Sequence, residues 1–293
     1  MFAIIGILVV FGAVVGGYLM EKGQLLVLMQ PAELVIIGGA SVGTVLIANP
    51  PRILRQILQG IAGAFAGSRY NQEWHLKSLK LLYDLFDQAR RGGLPSIEAE
   101  VEDPAKGKTF ASQPAILKDH HICAFICDTL RTMMIGGMEP FDLDQMLETD
   151  LDVHHHETSE SVSALNTMAD ALPGLGIVAA VLGVVITMGA LGGKPEEIGH
   201  KVAAALVGTF LGILLCYGLI GPLAASMSKT ADAEHAYYQM LRVTIAAFNK
   251  GIPPLLAVEI GRRAIPGHVR PKFAELEKTC RNKGEQPPIA QAA

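Results

Sequence analysis

The sequence is poor in charge and has no excess of basic residues. Only 18% of its 293 residues are Asp, Glu, Lys or Arg, and the formal net charge is −4. A nucleic-acid-binding domain normally carries a basic patch with interleaved aromatic side chains, and no such patch occurs in this chain. We therefore expect no nucleic-acid partner. The 50% share of hydrophobic residues points to a membrane protein instead.

Sequence signals for disulfides and for catalysis are also missing. The chain contains four cysteines, Cys123, Cys127, Cys216 and Cys280. They form neither a CxxC pair nor a zinc-ligand spacing, which argues against a disulfide framework. Nucleophile elbow, P-loop, HExxH and dinucleotide-binding glycine motifs are absent as well. The sequence predicts neither an enzyme nor a cofactor. The stretch HHHE at 154–157 suggests a metal site, but on a helix only its first and last residues share a face.

Four apolar runs predict four transmembrane helices. They are Met1–Met20, Leu34–Ala48, Leu172–Gly193 and Val202–Met227. About 20 helical residues cross a hydrocarbon core of about 30 Å, so each run is long enough, the second being the shortest. We predict an all-α membrane protein, with transmembrane helices 1 and 2 in residues 1–49 and a large helical cytoplasmic domain in 50–169. Transmembrane helices 3 and 4 follow in 170–227, and cytoplasmic C-terminal helices with a disordered tail in 228–293.

The distribution of basic residues predicts which side of the membrane holds the bulk of the chain. Arg52, Arg55 and Arg69 follow the second span before any acidic residue, whereas the lysines of the short loops are balanced by glutamates. Basic residues near span ends favour the cytoplasm. The large loop and both termini are therefore expected to be cytoplasmic. Small-xxx-small spacings in the spans further predict close helix packing; these are Gly12/Gly16, Gly39/Gly43 and Gly208/Gly212.

The polar regions contain several amphipathic patterns. Residues 53–65 predict a helix lying on the membrane surface, and residues 72–93 a second helix ended by Gly92 and Gly93. Further helices are expected at 117–134 and 232–250, and the run 142–170 is expected to continue as one helix into the third span.

Opposite charges lie close together around residue 93. Arg90 and Arg91 occupy the last predicted turn of one helix, and Glu98 opens an acidic segment, LPSIEAEVEDP, that follows it. Two interpretations stay open at this point. The charges pair with one another on a solvated surface, or they form a charged docking face for a protein partner.

The spans contain no ionisable residue at mid-depth. Glu33 and Asp170 lie at span ends, and the interior polar residues are Ser41, Thr44, Thr187, Thr209 and Tyr217. A self-sufficient proton carrier needs a buried titratable group, and this chain does not supply one.

Two prolines lie near the cytoplasmic ends of spans three and four. Pro173 and Pro222 each remove a helical hydrogen bond, freeing the carbonyls of Ala169 and Gly218. Two bends at one level predict a hinge. Static kinks repaired by hydroxyls or water are the alternative.

Three segments together resemble the motility protein A (MotA) family, the larger membrane subunits of the bacterial flagellar stator. They are DALPGLGIVAAVLGVVITMGALGG at 170–193, VGTFLGILLCYGLIGP at 207–222, and the charged stretch ARRGG…PSIEAEVEDP. The order of two spans, a long loop, two spans and a tail also matches, so the likeness covers nearly the whole chain.

The resemblance implies a flagellar stator function in the bacterial inner membrane. Protons would cross beside spans three and four on a carboxylate supplied by a MotB-like subunit, with Thr209 and Tyr217 lining the path and Asp170 at its mouth. Backbone bonding or helix packing is the alternative for both path residues. Pro173 and Pro222 would couple proton passage to movement of the cytoplasmic domain.

The same resemblance implies further partners and leaves a rival open. Arg90 and Glu98 would engage the rotor protein FliG, and five copies would surround two partner helices as a homo-oligomer. The pattern looks closer to proton-driven than to sodium-driven members. The related TolQ and ExbB subunits are the rival, but they typically have three spans. A passive scaffold is the rival from another class.

Overall fold

The computed structural model describes residues 2–189 and 195–281. These residues form α-helices joined by short turns, with a 3-10 turn at Leu94–Ile97, a π turn at Cys216–Ile220 and, within the described ranges, no strand. The prediction of an all-α protein is confirmed. The tail predicted to be disordered, from residue 282, and the end of the third apolar run, 190–193, lie outside the described residues.

The helices are numbered in chain order. They are α1 (Phe2–Met20), α2 (Leu25–Leu28), α3 (Pro31–Ala48), α4 (Pro51–Ala66), α5 (Gln72–Gly92), α6 (Glu98–Glu102), α7 (Lys108–Ala111), α8 (Pro114–Leu117), α9 (His120–Ile135), α10 (Pro140–Met188), α11 (Pro195–Leu215), α12 (Gly221–Asn249), α13 (Pro254–Ala264) and α14 (Phe273–Arg281).

Four helical stretches are long and apolar enough to cross a membrane, which confirms the prediction of four spans. They are Phe2–Met20, Leu25–Ala48, Pro140–Met188 and Ile198–Asn249. The last two contain 49 and 52 residues. A bilayer core needs about 20. Both helices therefore extend well past a single crossing. The unbroken pattern from residue 142 predicts this for span three, whereas span four and the helix at 232–250 were predicted as separate elements.

The chain divides into two compact units. The membrane unit consists of the described residues up to Ser68 together with His156–Ala231, and the helical unit of Arg69–His155 together with the described residues from Asp232 onward. Domain boundaries were predicted near residues 50, 170 and 228, where the chain was expected to meet the membrane surface. The packing units follow helix contacts instead, since α4 and part of α10 pack on the spans, and the predicted membrane boundaries stay a prediction.

Helix α4 uses its apolar stripe within the chain. Ile53, Ile57 and Ala64 are buried in one cluster with Leu165 of α10 and Leu223 of α12. The buried part of this stripe is therefore used in helix packing, and a position at the membrane surface stays a prediction. An ion pair holds the start of α4 to α10, since Arg52 contacts Glu157 at 2.9 Å and Glu160 at 2.6 Å.

Helix α5 forms the centre of the helical unit. Asn71 caps its start by accepting a hydrogen bond from the Trp74 backbone N–H at 2.9 Å. Several of its apolar side chains are fully buried: Leu79, Leu81, Leu82, Leu85 and Phe86. Phe86 stacks on Phe248 of α12 with ring centroids 4.1 Å apart. Gly93 follows α5 with a φ of 77° and Gly136 follows α9 with a φ of 75°, so glycine ends both helices as predicted.

Candidate ion path and charged docking face

Helices α10 and α11 approach each other at backbone distance in the membrane unit. A Cβ atom added to Gly176 would lie 2.9 Å from the carbonyl oxygen of Gly208, and one added to Gly212 would lie 2.9 Å from the Cα of Gly176. Only glycine permits this separation. The predicted packing of the Gly208/Gly212 pair is therefore confirmed. A Cβ atom added to Gly12, Gly16, Gly39 or Gly43 would meet no described atom of a neighbouring helix within 4 Å, so the packing predicted for them is not made inside this chain.

Pro173 lies half-buried inside α10, which continues through it. Its neighbours Ala169 and Leu172 are buried in a cluster with Ile37 of α3 and Cys216. Two residues that directly precede the predicted hinge are thus packed in the membrane unit, while the helix lacks the hydrogen bond that the proline removes.

Pro222 is exposed in the first turn of α12, directly after the π turn. The Gly221 backbone N–H bonds to the carbonyl of Cys216, five residues earlier, and a Cβ on Gly221 would lie 2.8 Å from that oxygen. The sequence predicted a bend at Pro222 but did not predict a π turn before it. A π turn carries one extra residue in a helix and is frequent at functional sites.

The remaining residues predicted for the path occupy different environments. Thr209 is half-buried at the α10–α11 crossing, where its Cα lies 3.4 Å from the Cβ position of Gly176. Its hydroxyl forms no hydrogen bond to a described residue, whereas Thr187 bonds to the backbone at 2.8 Å. Tyr217 is 74% exposed in the π turn. Asp170 is exposed, one turn before Pro173, and forms no ion pair within the described ranges.

Glu33 is a feature that the sequence analysis did not foresee. It lies in the first turn of α3, at the span end as predicted, but it is only 6% exposed. Ile37 and Ser41 follow at intervals of four residues and are fully buried, so all three occupy one packed stripe. A Cβ on Gly208 would lie 2.7 Å from the Glu33 Oε2, which has no hydrogen-bond partner among the described atoms. The four-residue spacing of Glu33, Ile37 and Ser41 was the sequence signal that could have predicted the burial of Glu33.

The charged face around residue 93 is only partly self-paired. Arg91 bonds to Asp87 at 2.7 Å, but its neighbour Arg90 is exposed and pairs with no residue of the described chain. Glu98, at the start of α6, is likewise exposed and unpaired among those residues. One basic and one acidic side chain are therefore left for an external contact.

The other acids of this segment are engaged within the fold. Glu100 accepts a hydrogen bond from the Thr109 backbone N–H at 2.9 Å, and Glu102 bonds to Arg131 at 3.0 Å. Asp103 bonds to Lys106 at 2.7 Å, and the hydrogen bond from that ammonium lowers the pKa of Asp103. The self-pairing interpretation thus holds for these three acids and not for Glu98.

A short connection fixes the positions of the two free charges. The Ser96 hydroxyl donates to the carbonyl of Gln88 at 3.0 Å, and the Gln88 amide donates to the carbonyl of Ser96 at 2.6 Å. These reciprocal bonds tie the 3-10 turn to the last turns of α5. Arg90 and Glu98 are therefore presented from ordered backbone on both sides of the turn.

The histidine stretch does not assemble a metal site in the described part of the chain. His154 lies 3.4 Å from Glu234, and the rings of His155 and His235 are 4.5 Å apart. Glu157, which sequence spacing placed on the same face as His154, contacts Arg52. No group of three or more His, Cys, Asp or Glu side chains in the described residues is arranged to hold a metal ion.

Comparison with known proteins places these features in a family. Residues 4–93 match the family model "Motility protein A N-terminal", and residues 118–240 match the MotA/TolQ/ExbB proton channel family. Motility protein A of Escherichia coli (strain K12) is 39% identical over 281 residues, which cover 96% of this chain and 95% of the relative. The chain belongs to the motility protein A family. Chemotaxis protein LafT of Vibrio parahaemolyticus, 36% identical over 94% of this chain and 96% of its own length, is a further relative.

Solved structures of motility protein complexes share the fold. A chain in "Structure of C. jejuni MotAB" superposes with a TM-score of 0.74 at 16% identity, covering 90% of this chain and 95% of that one. A chain of the flagellar MotAB stator complex from Bacillus subtilis gives a TM-score of 0.70 at 22% identity, covering 88% of this chain and 92% of that one. The four-span helical architecture is therefore that of the motility protein A family.

Proposed function

We propose that this chain is the larger membrane subunit of a flagellar stator, which together with a MotB-like subunit conducts protons and converts the proton motive force into torque on the rotor. The observation that carries this proposal is full-length similarity to proteins named motility protein A, at 39% identity over 96% of the chain. The two family models support it, because one covers the first pair of spans and the other the second pair.

A partner supplies the essential membrane carboxylate in this proposal. The described parts of spans three and four contain no acidic side chain between Asp170 and the end of α10, or between Ile198 and Ala231. A carboxylate from a MotB-like helix would lie against their apolar side chains and hydroxyls. Moving one charge through a potential of 100 mV releases about 2.3 kcal/mol, which is enough to bias two packings that differ by a few kcal/mol.

Assembly and orientation complete the membrane arrangement. Five copies around two partner helices would form a homo-oligomer in the bacterial inner membrane, with both termini in the cytoplasm. The basic residues that follow α3, Arg52, Arg55 and Arg69, support this orientation. The similar solved structures are complexes of MotA with MotB, which supports the choice of partner.

Pro173 and Pro222 form the proposed coupling hinge. Both lie in the membrane unit, one inside α10 and the other directly after the π turn. Each removes a backbone hydrogen bond, which lowers the cost of bending at that position. Protonation of the partner's carboxylate between these helices would favour one bend over another, with Asp170, Thr209 and Tyr217 lining the route.

Arg90 and Glu98 form the proposed rotor contact. They are exposed and left unpaired by the described residues, whereas Arg91, Glu100 and Glu102 are bonded within the helical unit. Complementary charges speed association and fix the register of two surfaces more than they add affinity. These properties suit a contact with the rotor protein FliG that must form and break repeatedly.

Complementation tests the proposed function. The chain is expressed in a non-motile strain that lacks its own motility protein A, with and without the cognate MotB-like subunit. We expect swimming only when both are present. A TolQ-like or ExbB-like energiser would leave the cells non-motile and would instead restore an outer-membrane energisation defect. Varying sodium at fixed pH distinguishes the ion, since a proton-driven motor keeps its speed.

A further inference from the structure

We propose that Glu33 is a second proton-binding group of the ion path, which collects protons on the outer side of the membrane and passes them toward the partner's carboxylate. This inference rests on the proposed stator function. The Glu33 carboxylate takes a proton from hydronium, leaving water and a neutral carboxylic acid. It then gives that proton to a water molecule on the inner side, and the carboxylate is restored.

The placement of Glu33 is the first argument. Its side chain is 6% exposed, and its Oε2 has no hydrogen-bond partner among the described atoms. The Glu33 carboxyl lies where α3, α10 and α11 meet. A Cβ on Gly208 of α11 would lie 2.7 Å from the Glu33 Oε2 and 3.2 Å from both the Ala179 Cβ and the Ala180 nitrogen of α10. The carboxyl therefore reaches the α10–α11 crossing, beside Thr209.

The cost of burying this acid is the second argument. A charged group that is taken out of water without a partner costs several kcal/mol. An amide or an aliphatic side chain would fill the site without that cost. Ionisable groups inside a membrane protein generally mark ion pathways, and exchange of a proton is the use that specifically requires a carboxyl group here.

Other charged groups do not explain the position of Glu33. No described side chain forms an ion pair with it. The titratable residues of the membrane-spanning parts and their outer turns whose side chains are described are Tyr18 of α1, Glu21 and Lys22 in the following turn, Asp170 of α10, His200 and Lys201 of α11, and Cys216 and Tyr217 of the π turn. Asp170 precedes Ala180 by ten residues, about 15 Å along a helix, so it belongs to the other end of the path.

The depth of Glu33 matches collection of protons from outside. With cytoplasmic termini, α3 begins on the outer side and Glu33 lies in its first turn. Gly208 lies six residues into the predicted apolar run that starts at Val202, about 9 Å along the helix. The carboxyl is therefore between the outer surface and the middle of the membrane, ahead of the place where the partner's group is needed.

Proton supply gives such a group a measurable effect. Free hydronium is scarce near pH 7, so even diffusion-limited encounter with a neutral site restricts the proton supply of a fast motor. A negative charge in a cleft with apolar walls raises cation association about 10- to 10³-fold. Removing the charge of Glu33 should therefore slow a fast motor most when external protons are scarce.

The test measures single-motor speed at low load in cells that make the full chain with its MotB-like partner. Glu33→Gln keeps the shape of the side chain and removes its titratable carboxyl group, and Glu33→Asp keeps the acid. Gly208→Ala places a methyl group 2.7 Å from Oε2, which must move away. Gly39→Ala is the matched control on α3, because a Cβ there meets no described atom within 4 Å. Fluorescent counting gives the number of units at each motor, and external pH is varied at constant cytoplasmic pH.

The expected result is a slowing that depends on external pH and on load. Glu33→Gln and Gly208→Ala should lower the low-load speed per unit about 3- to 10-fold at external pH 8 and change it less than about 1.5-fold at pH 6. Torque per unit near stall should be unchanged in Glu33→Gln. Glu33→Asp and Gly39→Ala should run at the speed of the unaltered motor to within about 1.5-fold at pH 8.

Three results would overturn the inference. The first is an unaltered low-load speed of Glu33→Gln at every pH. The second is an equal slowing at every pH and load, and the third is a loss of assembled units with normal speed per unit. The second and third results would indicate that Glu33 only packs. If Glu33→Gln does not assemble, Gly208→Ala must show the pH-dependent slowing, and its absence would also count against the inference. Failure here leaves the stator function standing, because motility of the unaltered chain tests that function separately.

Discussion

Replacing Gly212 by alanine should force α10 and α11 apart. The added Cβ would lie 2.6 Å from the Leu172 carbonyl oxygen and 2.9 Å from the Gly176 Cα, and both are backbone atoms that cannot move alone. Contacts of this kind normally lie at about 3.5 Å, so the helices must separate by roughly 1 Å. Overpacking costs about 1–3 kcal/mol, against a gain of about 0.5–1 kcal/mol for alanine over glycine in a helix. The expected net loss of stability is about 1–2 kcal/mol.

Thermal unfolding of the purified complex in detergent measures this loss. A change of 1 kcal/mol corresponds to about 2–4 °C in Tm for domains of this size, so Gly212→Ala should lower Tm by about 2–8 °C. Gly199→Ala on the same helix is the control, because its Cβ meets no described atom within 4 Å. That variant should keep or slightly raise Tm. If Gly212→Ala unfolds at or above the control temperature, the close approach of α10 and α11 is not a feature of the folded protein.

The remaining predictions concern the hinge and the docking face. Pro173→Ala and Pro222→Ala should restore helical hydrogen bonds, leave the protein in the membrane and abolish swimming; normal swimming by both variants would refute the hinge. Arg90→Glu and Glu98→Lys should reduce torque while leaving membrane levels unchanged, and opposite reversals on the rotor protein should rescue them. Arg91→Glu is the control, since Arg91 is bonded to Asp87. If reversals on the rotor protein do not rescue the Arg90 and Glu98 variants, these two residues belong to a solvated surface and not to a docking face.

Local patterns predicted the helices well because each pattern has a short-range cause. Uncharged runs of about 20 residues have few alternatives to a membrane span, and four such helices are present. Gly93 and Gly136 end helices at positive φ, a conformation that glycine adopts without strain. The continuous helix through Pro173 also followed from sequence, since no other breaker occurs between residues 142 and 170.

The features that escaped prediction depend on contacts between distant residues. The burial of Glu33 requires Gly208 on another helix, 175 positions later in the chain. Which charges around residue 93 are free depends on distant partners such as Arg131, which engages Glu102. The π turn at Cys216–Ile220 was missed because a proline predicts only a lost hydrogen bond and not the register that the helix adopts around it.

Proton flux into vesicles tests most directly whether this chain forms the wall and the moving parts of a path whose essential acid belongs to a partner. The purified chain is reconstituted alone, with the MotB-like subunit freed of any segment that blocks the channel, and with that subunit carrying asparagine in place of its membrane aspartate. We expect specific proton flux only with the intact partner. Specific proton conduction by the chain alone, at the rate of the complete complex, would contradict the account.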